Sequence, residues 1–283
     1  MDLAQIRRLV MISMFSDDFL MQHFALKGGN ALNLVHGLGS RTSLDVDLSM
    51  GGDFDNSEDA KQRIFRALKD RFDSQGYVLF DEKFMRRPAP AQPVDNDWWG
   101  GYDVEFKVIE KEKFEALFKN LEKVRRDATV VGPSQQRTFR VQISKHEFCK
   151  GREEAEVDNY VVYVYTPSMI AIEKVRAICQ QMPEYSLRAH PTPRGRDFYD
   201  IHTVVREGGV NLASTDNLEL ARNIFAVKCV PLILIPRIPD QREFHRQDWP
   251  AVRDAVSGGL EEFDFYFDFV VGQIPRLKVL WGE

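Results

Sequence analysis

The sequence has few cysteines, no long apolar run and no excess of positive charge. Its three cysteines, Cys149, Cys179 and Cys229, are isolated and widely spaced among 283 residues. This spacing argues against a disulfide framework and a zinc site, and it fits a reducing cytoplasm. No uncharged apolar stretch approaches the roughly 20 residues that a membrane-spanning helix needs. The formal net charge of −5 indicates that the overall field does not attract nucleic acid, although a local basic patch is compatible with it.

The first residues lack the charged-then-apolar layout of a signal peptide. We therefore expect a cytoplasmic protein that does not associate with a membrane. The hydrophobic content of 43% and the charged content of 29% are ordinary for a globular protein. The length permits one large domain or two modest ones.

Strand signals cluster before residue 165 and helix signals after it. Alternating or β-branched segments predict strands at 42–49, 77–80, 102–109, 138–144 and 159–165. Helical spacing of apolar residues predicts helices at 3–23, 31–35, 59–72, 111–124, 168–182, 196–207, 218–227, 249–256 and 260–271. This order predicts an α+β domain over residues 1–165, followed by a mainly helical C-terminal domain over residues 166–283.

Two acidic residues, Asp45 and Asp47, alternate with apolar residues over positions 44–48. Because side chains at i and i+2 of a strand point to the same face, the two carboxylates project together. Two like charges this close repel unless a cation lies between them, and hard carboxylate oxygens suit Mg²⁺. Upstream, Gly28 and Gly29 open a short helix whose N–H groups attract phosphate. The pattern predicts a metal-and-nucleotide site, whereas a lone Asp-x-Asp is most often a surface strand or turn.

The strand predicted at 102–109 carries two further carboxylates, Asp103 and Glu105, on one face. Metal-dependent displacement at phosphorus arranges metal ions around an in-line attack, and a third carboxylate on a neighbouring strand commonly completes such a site. We expect Glu105, which lies deeper in the strand, to be this third metal ligand. The alternative is that both residues are solvated members of an edge strand.

Two charged residues of the C-terminal half, Lys174 and Asp197, lie in predicted helices. A lysine near a triphosphate neutralises charge as a point cation, but most helical lysines lie at the surface. Asp197 lies near a helix start, where the helix dipole favours a carboxylate without any catalytic role. The residues alone leave these alternatives open.

Together, these motifs resemble the AbiEii-type branch of the polymerase-β-like nucleotidyltransferase superfamily. That branch contains the toxins of type IV abortive-infection toxin–antitoxin systems. The resemblance covers residues 24–206 and consists of four motifs in order: a Gly-Gly turn, a Ser-x-Asp-x-Asp strand, a Glu-Lys-x-Arg-Ala helix and an Arg-Asp-Phe-Tyr-Asp segment. The matching residues are Lys27, Gly28, Gly29, Arg41, Ser43, Asp45, Asp47, Glu173, Lys174, Arg176, Ala177, Arg196, Asp197, Tyr199 and Asp200.

The resemblance implies a polymerase-β-like mixed sheet with flanking helices and a Mg²⁺-dependent enzyme that adds a nucleoside monophosphate from a nucleoside triphosphate to an acceptor. It implies that Asp45 and Asp47 hold Mg²⁺ and that Lys174 stabilises charge on the leaving pyrophosphate. Asp197 either orients Lys174 or activates the acceptor hydroxyl. The implied nucleotide-binding residues are Lys27, Gly28, Gly29, Arg41 and Ser43.

The acceptor and the partners are the least determined features. The resemblance implies an RNA acceptor, such as the 3′ end of a tRNA, and a separately encoded antitoxin. Candidate RNA contacts are the basic segments 86–87 and 123–126, Arg194, Arg196, and the aromatic residues Trp98, Trp99 and Tyr102. The alternatives are transfer to a protein or small molecule, and a non-catalytic protein that binds nucleotide as a structural ligand. Retention of both Asp45 and Asp47 speaks against the last of these.

Overall fold

A computed structural model of the chain describes residues 1–39, 43, 45–87, 99–188, 190–256 and 258–282, and for Pro133 the backbone alone. By compactness, the chain divides into two units. Unit 1 consists of Met1–Leu26, Leu44–Cys149 and Glu153–Val164, and unit 2 of Lys27–Ser43, Lys150–Arg152 and Tyr165–Glu283. The last division, after Val164, adjoins the boundary expected at residue 165. A domain boundary at that point stays a prediction.

The described residues of unit 1 are built around a mixed β-sheet. Its strands are β1 (Ala25–Lys27), β2 (Val46–Ser49), β3 (Tyr77–Arg87), β4 (Gly101–Glu110), β5 (Phe139–Ser144), β6 (Glu153–Val157) and β7 (Tyr160–Val164). Their order in the sheet is β3-β4-β5-β2-β1-β7-β6. The β1–β7 and β2–β5 pairs are parallel, whereas β3–β4, β4–β5 and β6–β7 are antiparallel. The mixed sheet confirms the predicted α+β class.

Helices flank the sheet in unit 1 and make up most of unit 2. In chain order they are α1 (Leu3–Phe15), α2 (Asp18–His23), α3 (Gly28–Asn30), α4 (Ser57–Asp73), α5 (Lys111–Leu117), α6 (Leu121–Asp127), α7 (Pro167–Cys179), α8 (Gly195–Arg206), α9 (Thr215–Ala226), α10 (Arg242–Arg246), α11 (Trp249–Ala255) and α12 (Phe263–Gln273). A π-helical turn, Ala31–Val35, continues α3, and 3₁₀ segments span Pro133–Gln135, Leu232–Gln241 and Ile274–Leu280. Within the described parts of the chain, no helix is both long and apolar enough to cross a membrane.

The core of unit 1 lies under the strands that carry the candidate metal ligands. The rings of Phe106 on β4 and Phe139 on β5 lie 5.6 Å apart, and Phe72 of α4 packs edge-on against Phe106. Gly101 begins β4 where the strands approach so closely that a Cβ would lie 1.9 Å from the carbonyl oxygen of Ile143. Glycine at this position therefore sets the distance between β4 and β5.

Unit 2 contains α7 and α8, the helices that carry Lys174 and Asp197. Thr166 caps α7 by accepting a hydrogen bond from the Met169 N–H, and Pro167 occupies the first turn, as the sequence predicts. On α8, Phe198 is fully buried against two rings of α12, those of Phe263 and Phe267. The aromatic contacts tie the helix bearing Asp197 to the C-terminal helices.

The structure differs from the predicted secondary structure at several points. The helix predicted at 3–23 is two helices, α1 and α2. Strands β1 and β6 were not anticipated, because β1 has three residues and β6 is mostly glutamate. Strand β3 runs on to Arg87 instead of ending at 80. The extension was not predicted, because a register shift after Phe80 and a positive φ at Asp81 interrupt the alternation of side chains along the strand. The helix predicted at 111–124 is two helices, divided at Asn120, which caps α6. Most of the loop predicted at 86–97 lies outside the described residues.

Candidate functional site

The acidic pair lies in unit 1, on and just before β2. Val46 and Leu48 are fully buried, whereas Asp45 and Asp47 are half-buried. The observed burial follows the alternation that the sequence predicts, so both carboxylates face away from the core. Leu44, which belongs to the same predicted pattern, lies outside the described residues.

Strand β5 separates the two acidic strands, β2 and β4. The register places Asp47 opposite Gln142 and Gln142 opposite Asp103, so these three residues form one row across the sheet. Directly opposed side chains lie on the same face of a sheet. Two strand spacings, roughly 10 Å, separate the backbones of Asp47 and Asp103. The acidic residues therefore share a face without being neighbours.

Both carboxylates considered as a third metal ligand form ion pairs with cations of neighbouring strands. Glu105 accepts a hydrogen bond from Arg140 Nη2 at 3.0 Å and lies 3.4 Å from Lys83 Nζ. Asp103 lies 3.1 Å from Arg87 Nε. Among the described residues, no group of three or more His, Cys, Asp or Glu side chains is arranged to hold a metal ion. Glu105 as a third ligand stays a prediction.

Arg140 on β5 is a cation that the sequence analysis missed. Burial by itself would lower the pKa of Arg140, but the hydrogen bond with Glu105 and the charges of Glu105, Asp103 and Asp45 raise that pKa above its ordinary value. A guanidinium therefore lies close enough to Asp45 to offset part of its charge. The alternation of buried residues along β5 was the available signal, because it places Arg140 and Gln142 on the polar face.

The glycine turn begins unit 2. Gly28 follows β1, begins α3 and has a φ of +70°, which side-chain-bearing residues rarely adopt. The preceding residue, Lys27, is buried, and its ammonium lies 2.7 Å from Glu173 Oε1. Arg176 Nη2 lies 3.1 Å from the same oxygen. The turn is thereby tied to α7. Of the other predicted nucleotide ligands, Ser43 is half-buried and Arg41 lies outside the described residues.

Lys174 on α7 is paired with two aspartates of α8. Its side chain is 10% exposed, which excludes the surface-lysine alternative. Its Nζ lies 2.9 Å from Asp197 Oδ1 and 2.6 Å from Asp200 Oδ2. The aspartates are three residues apart on one helix, so both can face the same ammonium. The structure thus brings together Lys174 and Asp197 and adds Asp200.

Asp197 is a fully buried carboxylate with two cationic partners, Lys174 and Arg194 Nε. Burial by itself raises the pKa of a carboxyl, but the charges of Arg194 and Lys174 hold the pKa of Asp197 well below its usual range. Its place in the first turn of α8 also favours the ionised form. A carboxylate with so low a pKa is a weak proton acceptor.

A buried histidine, His245, supports this arrangement from the C-terminal segment. Its Nδ1 accepts a hydrogen bond from the Arg194 backbone N–H at 3.1 Å. The ring is therefore neutral, with its proton on Nε2. Burial, followed by the charge of Arg194, lowers the pKa of His245 to about 4, although Asp197 opposes this change. The sequence offered no signal for the contact, which joins residues 51 positions apart.

We expect the free energy of unfolding to fall as the pH drops from about 6.5 to about 4. A histidine in the unfolded chain titrates near 6.5, whereas His245 in the folded chain titrates near 4, so the unfolded state binds more protons between these values. The stabilisation is complete above pH 6.5 and is lost as the pH approaches 4; it amounts to about 3 kcal/mol. Urea unfolding of the parent and of His245→Asn at pH 6.5 and pH 4 measures this stabilisation as the difference between the two proteins in their pH dependence. Equal pH dependence in the two proteins would contradict this expectation.

Several residues considered as RNA contacts have other roles. The prediction for Tyr102 is wrong, because Tyr102 is buried and its hydroxyl donates to Asp53 Oδ1 at 2.7 Å. Trp99 is 41% exposed and can still stack on a base, whereas Trp98 lies outside the described residues. Arg87, Arg125 and Arg194 each form ion pairs within their own unit. The basic segments thus offer less free positive charge than their composition indicates.

Comparisons with known proteins agree with this picture of the fold. The family model described as the nucleotidyl transferase AbiEii toxin of type IV toxin–antitoxin systems matches residues 10–269. No curated protein gives a sequence match. The crystal structure of a candidate nucleotidyltransferase from Helicobacter pylori is 18% identical, with a TM-score of 0.52, over 98% of this chain and 94% of that one. The structure of JHP933 from the same organism is 16% identical, with a TM-score of 0.53, over 98% and 91% of the respective chains. At such identities the likeness concerns the fold, and it confirms the predicted fold class.

Proposed function

Because the chain belongs to the AbiEii nucleotidyltransferase toxin family of type IV toxin–antitoxin systems, we propose that it transfers a nucleoside monophosphate to RNA, such as a tRNA 3′ end, in a Mg²⁺-dependent reaction. Membership makes the chain a nucleotidyltransferase and implies a nucleoside triphosphate substrate and an antitoxin partner. The observation that carries the proposed chemistry is the pair of half-buried carboxylates, Asp45 and Asp47, on either side of the buried Val46.

In the proposed reaction, an acceptor hydroxyl oxygen forms a bond to the α-phosphorus of the triphosphate. The bond from that phosphorus to the oxygen bridging the α- and β-phosphates breaks, and pyrophosphate leaves with the electron pair. The hydroxyl proton passes to solvent. Catalysis of this kind depends mainly on positioning and on neutralising negative charge.

Asp45 and Asp47 are the proposed ligands of Mg²⁺. The donor set fits the ion, because Mg²⁺ is usually bound through one or two carboxylates together with substrate phosphates and water. When bound, the ion neutralises charge on the phosphate oxygens. Glu105 can join these ligands only by giving up its bonds to Arg140 and Lys83.

The glycine turn is the proposed phosphate-binding element. Gly28, Gly29 and Ser43 would contact the β- and γ-phosphates through N–H groups and a hydroxyl, and Lys27 and Arg41 would add positive charge. The positive φ of Gly28 supports this role, because it requires a residue without a side chain at the turn.

Lys174 is proposed to stabilise the negative charge that develops on the leaving pyrophosphate. We assign to Asp197 the orientation of Lys174 and not the activation of the acceptor hydroxyl. The support is its low pKa, which makes it a weak base, and its direct bond to Lys174 Nζ. Asp200 holds the same ammonium from the next turn of α8.

The proposal is tested by incubating the protein with Mg²⁺ and each nucleoside triphosphate, labelled at either the α- or the γ-phosphorus. Separate reactions contain purified tRNA, cell protein or small metabolites. We expect label from the α-phosphorus, and none from the γ-phosphorus, in the tRNA, and we expect EDTA to prevent its incorporation. This pattern distinguishes nucleotidyl transfer from phosphoryl transfer.

Other outcomes identify which part of the proposal fails. Label in the protein or metabolite fraction would overturn the RNA acceptor and leave nucleotidyl transfer in place. Incorporation in the presence of EDTA would overturn the metal requirement. No incorporation into any fraction, together with a co-purifying protein partner, would favour a non-catalytic binding role.

A further inference from the structure

Arg194 connects the Lys174–Asp197 pair to the C-terminal helices. Its backbone is bonded on both sides: the N–H donates to His245 Nδ1 at 3.1 Å, and the carbonyl oxygen accepts from the Asp197 N–H at 3.0 Å. Its guanidinium also bonds the Asp197 carboxylate. The position of Asp197 therefore depends on the conformation of Arg194, and His245 holds that conformation.

The acceptor nitrogen of His245 has little freedom to move. The side chain is fully buried, and its ring packs against Phe198 and Phe244 at centroid distances of 5.3 and 5.0 Å. The helix that carries Asp197 also approaches the His245 backbone closely, since a Cβ on Gly195 would lie 3.0 Å from the His245 carbonyl oxygen. The first turn of α8 is therefore docked directly on the junction between α10 and α11.

We infer that His245 is a positioning residue for nucleotidyl transfer: it fixes Arg194, Arg194 fixes Asp197, and Asp197 aims the ammonium of Lys174. The inference rests on the proposed role of Lys174. It assigns a function to a part of the chain, after residue 206, that lies beyond the four sequence motifs. A misplacement of about 1 Å at a charged group can cost roughly 100-fold in rate, so a lost hydrogen bond outside the reacting groups has a measurable effect.

Three variants separate this role from simple packing. His245→Asn keeps an acceptor oxygen near the place of Nδ1, whereas His245→Leu removes the acceptor and keeps an apolar side chain. Trp249→Phe is the matched control, because Trp249 is a buried aromatic residue of the same junction whose ring packs against Phe263 and Tyr266. Urea unfolding of each full-length variant verifies that it is folded before kinetics are measured.

The kinetic experiment uses the tRNA fraction and the α-labelled nucleoside triphosphate that the parent incorporates. We expect kcat to fall roughly 100-fold in His245→Leu with the KM for the nucleotide within about 3-fold of the parent, and His245→Asn to recover most of kcat. Trp249→Phe should retain parental kcat. Parental kcat in a folded His245→Leu, or equal losses in the Asn and Leu variants, would overturn the inference.

A second measurement is independent of activity. In ¹⁵N-labelled parent protein, the N–H···N bond should give a scalar coupling between the Arg194 amide nitrogen and His245 Nδ1, with the ring proton on Nε2. Absence of this coupling would overturn the inference whatever the kinetics. If the coupling is present but Lys174→Met transfers nucleotide at the parental rate, the proposed role of Lys174 fails, and the positioning role falls for that separate reason.

Discussion

Asp45→Ala lowers the rate of nucleotide incorporation by at least about 10³-fold, because it removes one of the two carboxylates proposed to bind Mg²⁺ beside the triphosphate. The fold is expected to survive. Asp45 is half-buried, and the lost attraction to Arg140 is offset by relief of the repulsion with Asp47, so the free energy of unfolding should change by less than about 1 kcal/mol. Incorporation of α-labelled nucleotide and urea unfolding measure the two effects.

The matched control for this variant is Glu156→Ala, which removes an exposed strand carboxylate of the same unit. It should retain parental activity. A fully active Asp45→Ala protein would refute the assignment of the metal ligands. The same assay on Glu105→Ala and Asp103→Ala identifies a third ligand, since such a residue would show a loss as large as that of Asp45→Ala.

Asp197→Ala is expected to abolish transfer and also to destabilise the protein by about 3 kcal/mol, at the low end for a broken buried ion pair because Asp200 still pairs with Lys174. The substitution removes the carboxylate shared by the buried Lys174 and the half-buried Arg194. Lys174 keeps Asp200, so the cluster is left with two cations and one carboxylate, which is one uncompensated positive charge. Breaking a buried ion pair by removing one partner costs this much because an uncompensated charge stays in the interior. The midpoint of urea unfolding and the incorporation assay measure the two losses.

A double variant separates the stability effect from the catalytic effect. Lys174→Met combined with Asp197→Asn removes one charge of each sign and leaves Arg194 and Asp200, whose charges are opposite. Because the cluster then carries no net charge, we expect the double variant to be more stable than Asp197→Ala while staying inactive. Activity in the double variant would contradict the proposed role of the pair. If the double variant is no more stable than Asp197→Ala, an uncompensated charge does not explain why Asp197→Ala is destabilised.

Strong periodic patterns predicted most of the fold. The segments that became β2, α4 and α7 were identified because alternation or helical spacing of apolar residues reports directly on which side of the chain is buried. Strand β6 was missed, because a run of glutamates has no apolar face. The extension of β3 was missed because a positive φ at Asp81 breaks the period on which the prediction depends.

The sequence predicted the direction of some side chains of the site but not the contacts of others. The shared direction of Asp45 and Asp47 followed from two positions in one strand, and their observed burial agrees with it. The partners of Glu105 could not be predicted, because Arg140 and Lys83 reach it only through the register of three strands. The stacking role for Tyr102 failed for a similar reason: exposure of an aromatic ring depends on what packs over it.

By itself, the sequence determined the features that depend on residues close together in the chain. These are the paired direction of Asp45 and Asp47, the glycine turn at Gly28, and the order of motifs that places the chain in its family. Only the tertiary structure decided that Lys174 is buried with Asp197 and Asp200, and that His245 holds Arg194. The reason is physical: a strand or helix period extends over a few residues, whereas an ion pair or a buried hydrogen bond forms between any positions that packing brings within about 3 Å.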